Sequence, residues 1–505
     1  MFSKTFVLSC FFLLFAPVLR STPLEIPEPA LENALCQALG VDRTELTAEG
    51  VSSILSLELN SKGLRDLTGL ENAVNLEVLV MRDNLIDDLS PILELANLVK
   101  LDLSGNRLRR AGSLVKLSGH KMRAKVSELQ LSLEDRRLSK DEKSSTILEM
   151  SELIQRLQTG PWALKELNLS NNLLLGLSGV EHLKDLTHLD VSGNSLIDLE
   201  GVGELKLLTT LYAHGNQLGR VESFEDENKN KSYDLGEPIN DQSGNGKRDT
   251  DPLIEIKSMP NLSSLYLYDN ILEEIGSMED LPRLQILLLS GNKIEDVNGL
   301  GQFKNLVRLT LSDNKISSLK GLDKLEKIQH LYLVENRISD LRTLQKMNTL
   351  RELRLQRNQF HDLAPIEQLP RLESLYLSQN LIFKLGNIAN LPSLRRLSLS
   401  GNCLPDDDEK TNEQVNKLRG RGVFVSFGNQ RKRITEAETL VNSLIGHPRS
   451  SRELGEYMQV NGYLRFMDLV EDTTVGEEEK RIAYNTWEQT LRRGKSLKDL
   501  PFLKN

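Results

Sequence analysis

The sequence predicts an α/β solenoid, an arc of short parallel strands whose connections run back along the opposite face. Three observations carry that reading. The pattern L-x-x-L-x-L-x-x-N-x-L can be laid on the chain in thirteen registers, starting at Ile54, Leu76, Leu98, Leu164, Leu186, Leu208, Leu262, Leu284, Leu306, Ile328, Leu350, Leu372 and Leu394, and ten of the twelve spacings are 22 residues. Asn fills the ninth position in twelve of the thirteen, from Asn84 to Asn402, with Lys62 in its place in the first. Apolar residues make up 39% of the chain but aromatics only 5%, so leucine has to fill the core. At 505 residues the chain is too long for one compact core, whereas a stack of units that each pack only on their neighbours has no such limit.

Each L-x-L reads as a strand pointing its leucines inward, with the Asn side chain bonding the backbone of the turn that follows. This is the leucine-rich-repeat pattern. The 22-residue period leaves room for only a turn or two of helix on the convex side, in segments such as DLSPILELANL and DLAPIEQLPRL. In this respect the chain resembles the bacterial internalin-like class of extracellular leucine-rich-repeat proteins over roughly residues 24–428. The resemblance extends to the ends. Ile26-Pro27-Glu28-Pro29 followed by ALENALCQALG looks like that class's N-terminal cap (22–53), and DEKTNEQVNKLRGRGVFVSF looks like its C-terminal helix and edge strand (405–429). Caps keep the terminal leucines of the 54–404 array out of water.

Outside the caps, Lys4 precedes an apolar run from Phe6 to Leu19, the layout of a secretory signal over residues 1–21, with an uncleaved N-terminal anchor as the alternative. Cys10 leaves with that signal. Cys36 and Cys403, at opposite ends of the array, read as core fillers, so stability comes from packing and not from cross-links. From 430 to 505 the repeat is lost and helical patterning separated by Gly and Pro suggests a small helical region, for which the sequence indicates no role.

Two spacings are long. Between Leu98 and Leu164 the template is matched only loosely, at Val126, Leu129 and Leu131, and STILEMSELIQRLQ has helical apolar spacing. The segment 109–163 therefore reads as one degenerate repeat with an enlarged convex helix, held in register with the rest. Between Leu208 and Leu262 lies one period plus 32 residues, 221–252. There Asp226, Asn228, Asn230, Asp234 and Glu237 occupy positions 1, 3, 5, 9 and 12 of a calcium loop, and Asp241, Ser243, Asn245 and Asp249 repeat positions 1, 3, 5 and 9. The pair resembles the calcium loops of dockerin and thrombospondin type 3 repeats. It departs from them in Lys231 at the turn glycine and in Pro252 at the second twelfth position, with Asp251 the nearest carboxylate. Calcium is the implied cofactor, held as a stapled knob at one rim of the solenoid. Sites of this weak extracellular kind have affinities of about 10⁻⁴ to 10⁻³ M.

Along each strand the residue between the inward leucines faces the concave side. Five of the nine tyrosines lie at such variable strand positions: Tyr212, Tyr266, Tyr268, Tyr332 and Tyr376. Arg308, His330, Arg351, Arg354, Arg357, Arg395 and Arg396 share that C-terminal half, and Glu58, Glu77, Asp83, Asp102, Glu166 and Asp190 mark the N-terminal half as acidic. Tyr and Arg are enriched at binding hot spots, although Tyr is also simply a good strand former. The candidate ligand-binding residues are Tyr212, Tyr266, Tyr268, Arg308, His330, Tyr332, Arg351, Arg354 and Tyr376.

A net charge of −9 argues against binding nucleic acid by phosphate neutralisation. No phosphate-binding loop, G-x-S-x-G or H-E-x-x-H is present and the seven histidines have no metal spacing, so catalysis is not expected. The expected function is that of a secreted or cell-envelope binding protein with a protein or glycan ligand. An intracellular regulatory subunit of a phosphatase and a structural surface-layer spacer are the alternatives.

Overall fold

The computed structural model describes residues 23–93, 95–114, 120–133, 139, 143–151, 164–220, 238–240, 251–276, 278–405 and 408–430. Within them fourteen three-residue strands form one sheet in strict chain order, every neighbouring pair parallel. The thirteen strands from Ser56–Glu58 to Arg396–Ser398 sit one in each of the thirteen registers, and Phe424–Ser426 adds the fourteenth. The chain is thus an arc of leucine-rich repeats.

Alternation fixes the faces. In Ser56–Glu58 the middle leucine is buried and its neighbours are exposed, and the same contrast recurs down the stack. The inward leucines join one continuous apolar cluster from Ile26 to Val425. Opposite the sheet most connections contain a single 3₁₀ turn of three to five residues, such as Ser90–Ile92 and Ala364–Ile366, all that 22 residues permit. Several are started by an aspartate: Asp88 accepts from the Ser90 N–H at 2.9 Å and Asp362 from the Ala364 N–H at 2.9 Å.

The asparagines seal each repeat to the one before it. Asn84 Oδ1 accepts from the Leu64 N–H at 3.0 Å while its Nδ2 donates to the Leu59 carbonyl at 2.8 Å, and Asn336 does the same with Ile316 and Leu311. These backbone groups sit in a bend that the sheet cannot serve, and leaving them unpaired would cost about 1–3 kcal/mol each. The residue just before each Asn turns the chain with a left-handed backbone, as glycine at Gly105, Gly193, Gly215, Gly291 and Gly401 and as a non-glycine elsewhere.

Both long spacings are bridged without loss of the sheet. Lys100–Asp102 pairs directly with Glu166–Asn168, and Thr210–Tyr212 directly with Ser264–Tyr266. This corrects the expectation of a degenerate repeat within 109–163. Val126, Leu129 and Leu131 belong to a helix, His120–Leu133, so the segment adds no strand between its neighbours. The spacing of three from Val126 to Leu129 suits a helix turn, whereas Leu129, Leu131 and Leu133 alternate as in a strand, so the local pattern by itself does not choose between the two. Leu129 is buried whereas Leu131 is exposed, so the ladder is continued by Leu101 meeting Leu167, not by these residues. Residues 143–151 are also helical.

The ends follow the expected caps. Pro29–Leu39 is an α-helix whose Leu31 and Leu35 are fully buried, followed by a short helix, Ala48–Ser52. Gly69, with φ +110°, makes room for Ile26, whose Cδ1 lies only 2.0 Å from where a β-carbon would stand. At the other end Glu409–Gly420 is a helix capped by Asp408, whose carboxylate accepts from the Thr411 N–H at 2.9 Å, and it leads into Phe424–Ser426. Cys403 is buried and Cys36 half-buried, and neither is in a disulfide. The predicted signal, 1–21, and all but the first residue of the predicted helical region, 430–505, lie outside the described residues.

Candidate binding face

The concave sheet face carries two clusters of aromatic side chains, divided by two strands that present Leu288 and Thr310 instead. With strands about 4.8 Å apart, Tyr266 and Tyr332 are separated by about 14 Å. The candidate residues therefore fall into two patches, and they differ in chemistry.

The C-terminal patch is centred on a guanidinium. Arg354 lies over the ring of Tyr332 at 4.5 Å and the ring of Tyr376 at 5.0 Å, on consecutive strands with Tyr332, Arg354 and Tyr376 in register. Its Nε and Nη2 donate to Glu352 Oε1 at 2.8 and 2.7 Å. The other oxygen of Glu352 accepts from the Tyr332 hydroxyl at 3.0 Å and lies 3.3 Å from His330 Nδ1. Burial pushes the Glu352 carboxyl up, but the bonds from Arg354 and Tyr332 outweigh it and hold the group below the usual carboxylate range. Burial, with donation to Glu352, raises the Tyr332 phenol. Arg351 pairs with Glu373 at 2.8 Å, and Arg308, exposed two strands before Glu352, has no ion pair among the described residues.

The second patch is made of rings. Tyr212 stacks on Tyr266 with centroids 4.3 Å apart, and His214 stacks on Tyr268 at 4.0 Å, the two stacks meeting edge to face. Residues about 54 positions apart in the chain become neighbours because the strands that carry them pair across the 221–252 insertion. Desolvation raises the phenols of Tyr212 and Tyr268 and holds the His214 imidazole below its ordinary value, hence neutral at neutral pH.

Of the predicted binding residues, Tyr212, Tyr266, Arg308, His330, Tyr332, Arg354 and Tyr376 lie in strands of this sheet, while Tyr268 and Arg351 lie just beyond strand ends, and the same surface includes residues that the repeat pattern does not single out. Glu352 organises the guanidinium patch and His214 completes the second stack. A third set lies along the rim: Glu335, Arg357 and Gln379 hold the left-handed backbone position in three consecutive repeats, with φ of 55°, 57° and 61°. Arg357 pairs with Glu335 on one side and donates to Gln379 Oε1 at 2.7 Å on the other. Most other repeats put Gly, Asp or Asn there, residues that tolerate the conformation. Long polar side chains at that column were the signal available in the sequence.

The N-terminal half is less openly acidic than its carboxylates suggest. Asp102 is buried, 2% exposed, and accepts from Arg82 Nε at 2.7 Å. Glu166 pairs with Lys100 at 2.9 Å. Glu58, Glu77 and Asp83 are exposed, and Asp190 is half-buried. Of the predicted calcium ligands, Asp226, Asn228, Asn230, Asp234, Glu237, Asp241, Ser243, Asn245 and Asp249 lie outside the described residues. Asp251 accepts from the Leu253 N–H at 3.0 Å and starts the 3₁₀ turn Ile254–Ile256, as aspartates do in other repeats. Among the described residues no group of three or more metal-binding side chains gathers, and no helix is long and apolar enough to cross a membrane.

A family model described as leucine-rich repeats in two copies matches residues 282–324 and 304–346. A comparison with curated proteins finds no match. Among solved structures the chain is similar to an internalin of Listeria monocytogenes, with 20% identity, a TM-score of 0.61, and coverage of 80% of this chain and 97% of that one. It is also similar to a leucine-rich-repeat protein of Leptospira interrogans, with 20% identity, a TM-score of 0.54, and coverage of 82% and 95%. At that identity the likeness is one of fold.

Proposed function

We propose that this chain is a binding protein that holds a protein partner against the concave sheet, with Tyr332, Arg354 and Tyr376 as the anchor. One observation carries the reading. A guanidinium set between two rings and fixed by Glu352 is already ordered before a partner arrives, so little side-chain entropy remains to be lost on binding. The leucine ladder has no use for these side chains, since they point away from it.

A partner captured from the surrounding medium by the full chain supplies the assay. Tyr332→Ala and Arg354→Ala should each weaken its binding by about 1–3 kcal/mol, with the melting temperature nearly unchanged, while Lys320→Ala leaves affinity as it was. Equal affinities in all three would remove the concave face from the account.

Export and calcium belong to the same proposal. The charged and apolar start of the chain supports secretion or placement in the cell envelope, where a reporter fused after residue 25 should be found; its retention in the cytoplasm would favour a regulatory subunit. The matched carboxylate spacings support calcium in 221–252. Calcium should protect that segment from protease, and Asp226→Ala with Glu237→Ala should abolish the protection. A calorimetric blank at millimolar calcium would leave an ordinary polar loop.

A further inference from the structure

We propose that the ring patch of Tyr212, His214, Tyr266 and Tyr268, together with Asp190 and Asp269, is a receptor for an arginine side chain of the protein partner. The inference rests on the concave-face reading above and deepens it.

The protein itself shows what this sheet does with a guanidinium. At the C-terminal patch three components meet: rings on both faces of the cation, a carboxylate at its edge, and the cation, Arg354. At the ring patch rings and a carboxylate are present, and because Tyr212 and Tyr266 stack on one another at 4.3 Å, the ring face open to a cation is the outer face of that stack, on the side of Asp190. Asp190, Tyr212 and Tyr266 stand side by side in register on consecutive strands, the same column that holds Tyr332, Arg354 and Tyr376. Among the described residues no cation lies over these rings.

The charge around the patch fits the missing component. Asp190 Oδ1 accepts from the Ser192 N–H at 3.0 Å and its hydroxyl at 2.6 Å, while Oδ2 has no hydrogen-bond partner among the described residues. Asp269 is exposed beside Tyr268. His214 is kept neutral by its burial, so it adds ring surface without repelling a cation. Ring faces carry negative quadrupole density and attract cations. A guanidinium suits the place better than an ammonium, because it can lay a weakly hydrated planar face on a ring while its edge reaches a carboxylate.

The full chain, carrying fluorotyrosine at its nine tyrosines, allows a direct test by fluorine magnetic resonance, with Tyr212 and Tyr266 assigned through their Phe variants. The probes are N-acetylarginine amide and its uncharged isostere N-acetylcitrulline amide. The Tyr212 and Tyr266 signals should move in a saturable way with the arginine probe and not with citrulline, and Asp190→Asn with Asp269→Asn should weaken the response about 5-fold or more. Equal responses to both probes, or none to either, would overturn the receptor. So would a response that emerges only after Lys229, Lys231, Lys247 and Arg248 are changed to Gln, because the chain's own insertion would then be the occupant. If Arg354→Ala abolishes partner binding while Asp190→Asn and Tyr212→Leu leave it intact, the arginine receptor falls and the concave-face reading stands.

Discussion

The guanidinium patch and the ring patch occupy the same columns of the same sheet, yet one is electrostatically complete and the other is not. At Arg354 the cation, its rings and its carboxylate all come from consecutive 22-residue repeats. At Tyr212 the rings come from strands separated in sequence by the long insertion, and the charges that act on His214 among the described residues are the carboxylates Asp190 and Asp269. The comparison teaches that the backbone of a repeat sets where side chains stand, while the few variable positions on each strand set what they can bind. It also shows that a patch can form across an interruption as well as within an uninterrupted run, provided the strands pair.

The largest effects should be those common to both patches. Leu333 lies under the first and Leu211 under the second, each with no exposed surface. Leu333→Ala and Leu211→Ala should each lower unfolding free energy by about 2–5 kcal/mol in denaturant titrations. A markedly smaller loss at Leu211 would mean that the ladder is looser where the insertion leaves it.

The asparagines sharpen the same point with a smaller effect. Asn336 links adjacent repeats, donating to the Leu311 carbonyl at 2.8 Å, whereas Asn270 donates at 3.0 Å to the Ala213 carbonyl on the far side of the insertion. Replacing either with Ala strands buried backbone groups and should cost about 1–3 kcal/mol. Asn270→Ala should in addition speed proteolysis between residues 221 and 252, an effect absent from Asn336→Ala. Equal protease sensitivity would show that pairing of the strands alone holds the insertion's two ends.

The smallest effect distinguishes the patches by pH. Glu352 has its folded pKa held below the unfolded value, about 4.3. Its contribution to stability is therefore fully present above that value and is lost as pH falls through the lower, folded one. Wild type should lose more stability than Glu352→Gln in that acid window, and the two curves should run parallel above pH about 6. Parallel curves throughout would mean that the carboxylate gains nothing from Arg354 and Tyr332.

The sequence alone determined the architecture. Thirteen registers, the asparagine at position nine and the two caps each correspond to an element of the fold, because every repeat states the same local rule and neighbours satisfy it. It also placed Tyr332, Arg354 and Tyr376 on the concave face, since strand alternation is a local property. The segment between 109 and 163 reads from sequence as a degenerate repeat because the loose apolar spacing around Val126 suits a helix as well as a strand. What decided the matter was the pairing of Lys100–Asp102 with Glu166–Asn168, a contact between distant segments. The same holds for the sites. Glu352 as the hub of Arg354, Tyr332 and His330, and the stacking of His214 on Tyr268, depend on side-chain directions across neighbouring strands. A period fixes which residues share a face, but only packed strands fix which of them touch, because that depends on rotamers chosen among neighbours the linear sequence does not name.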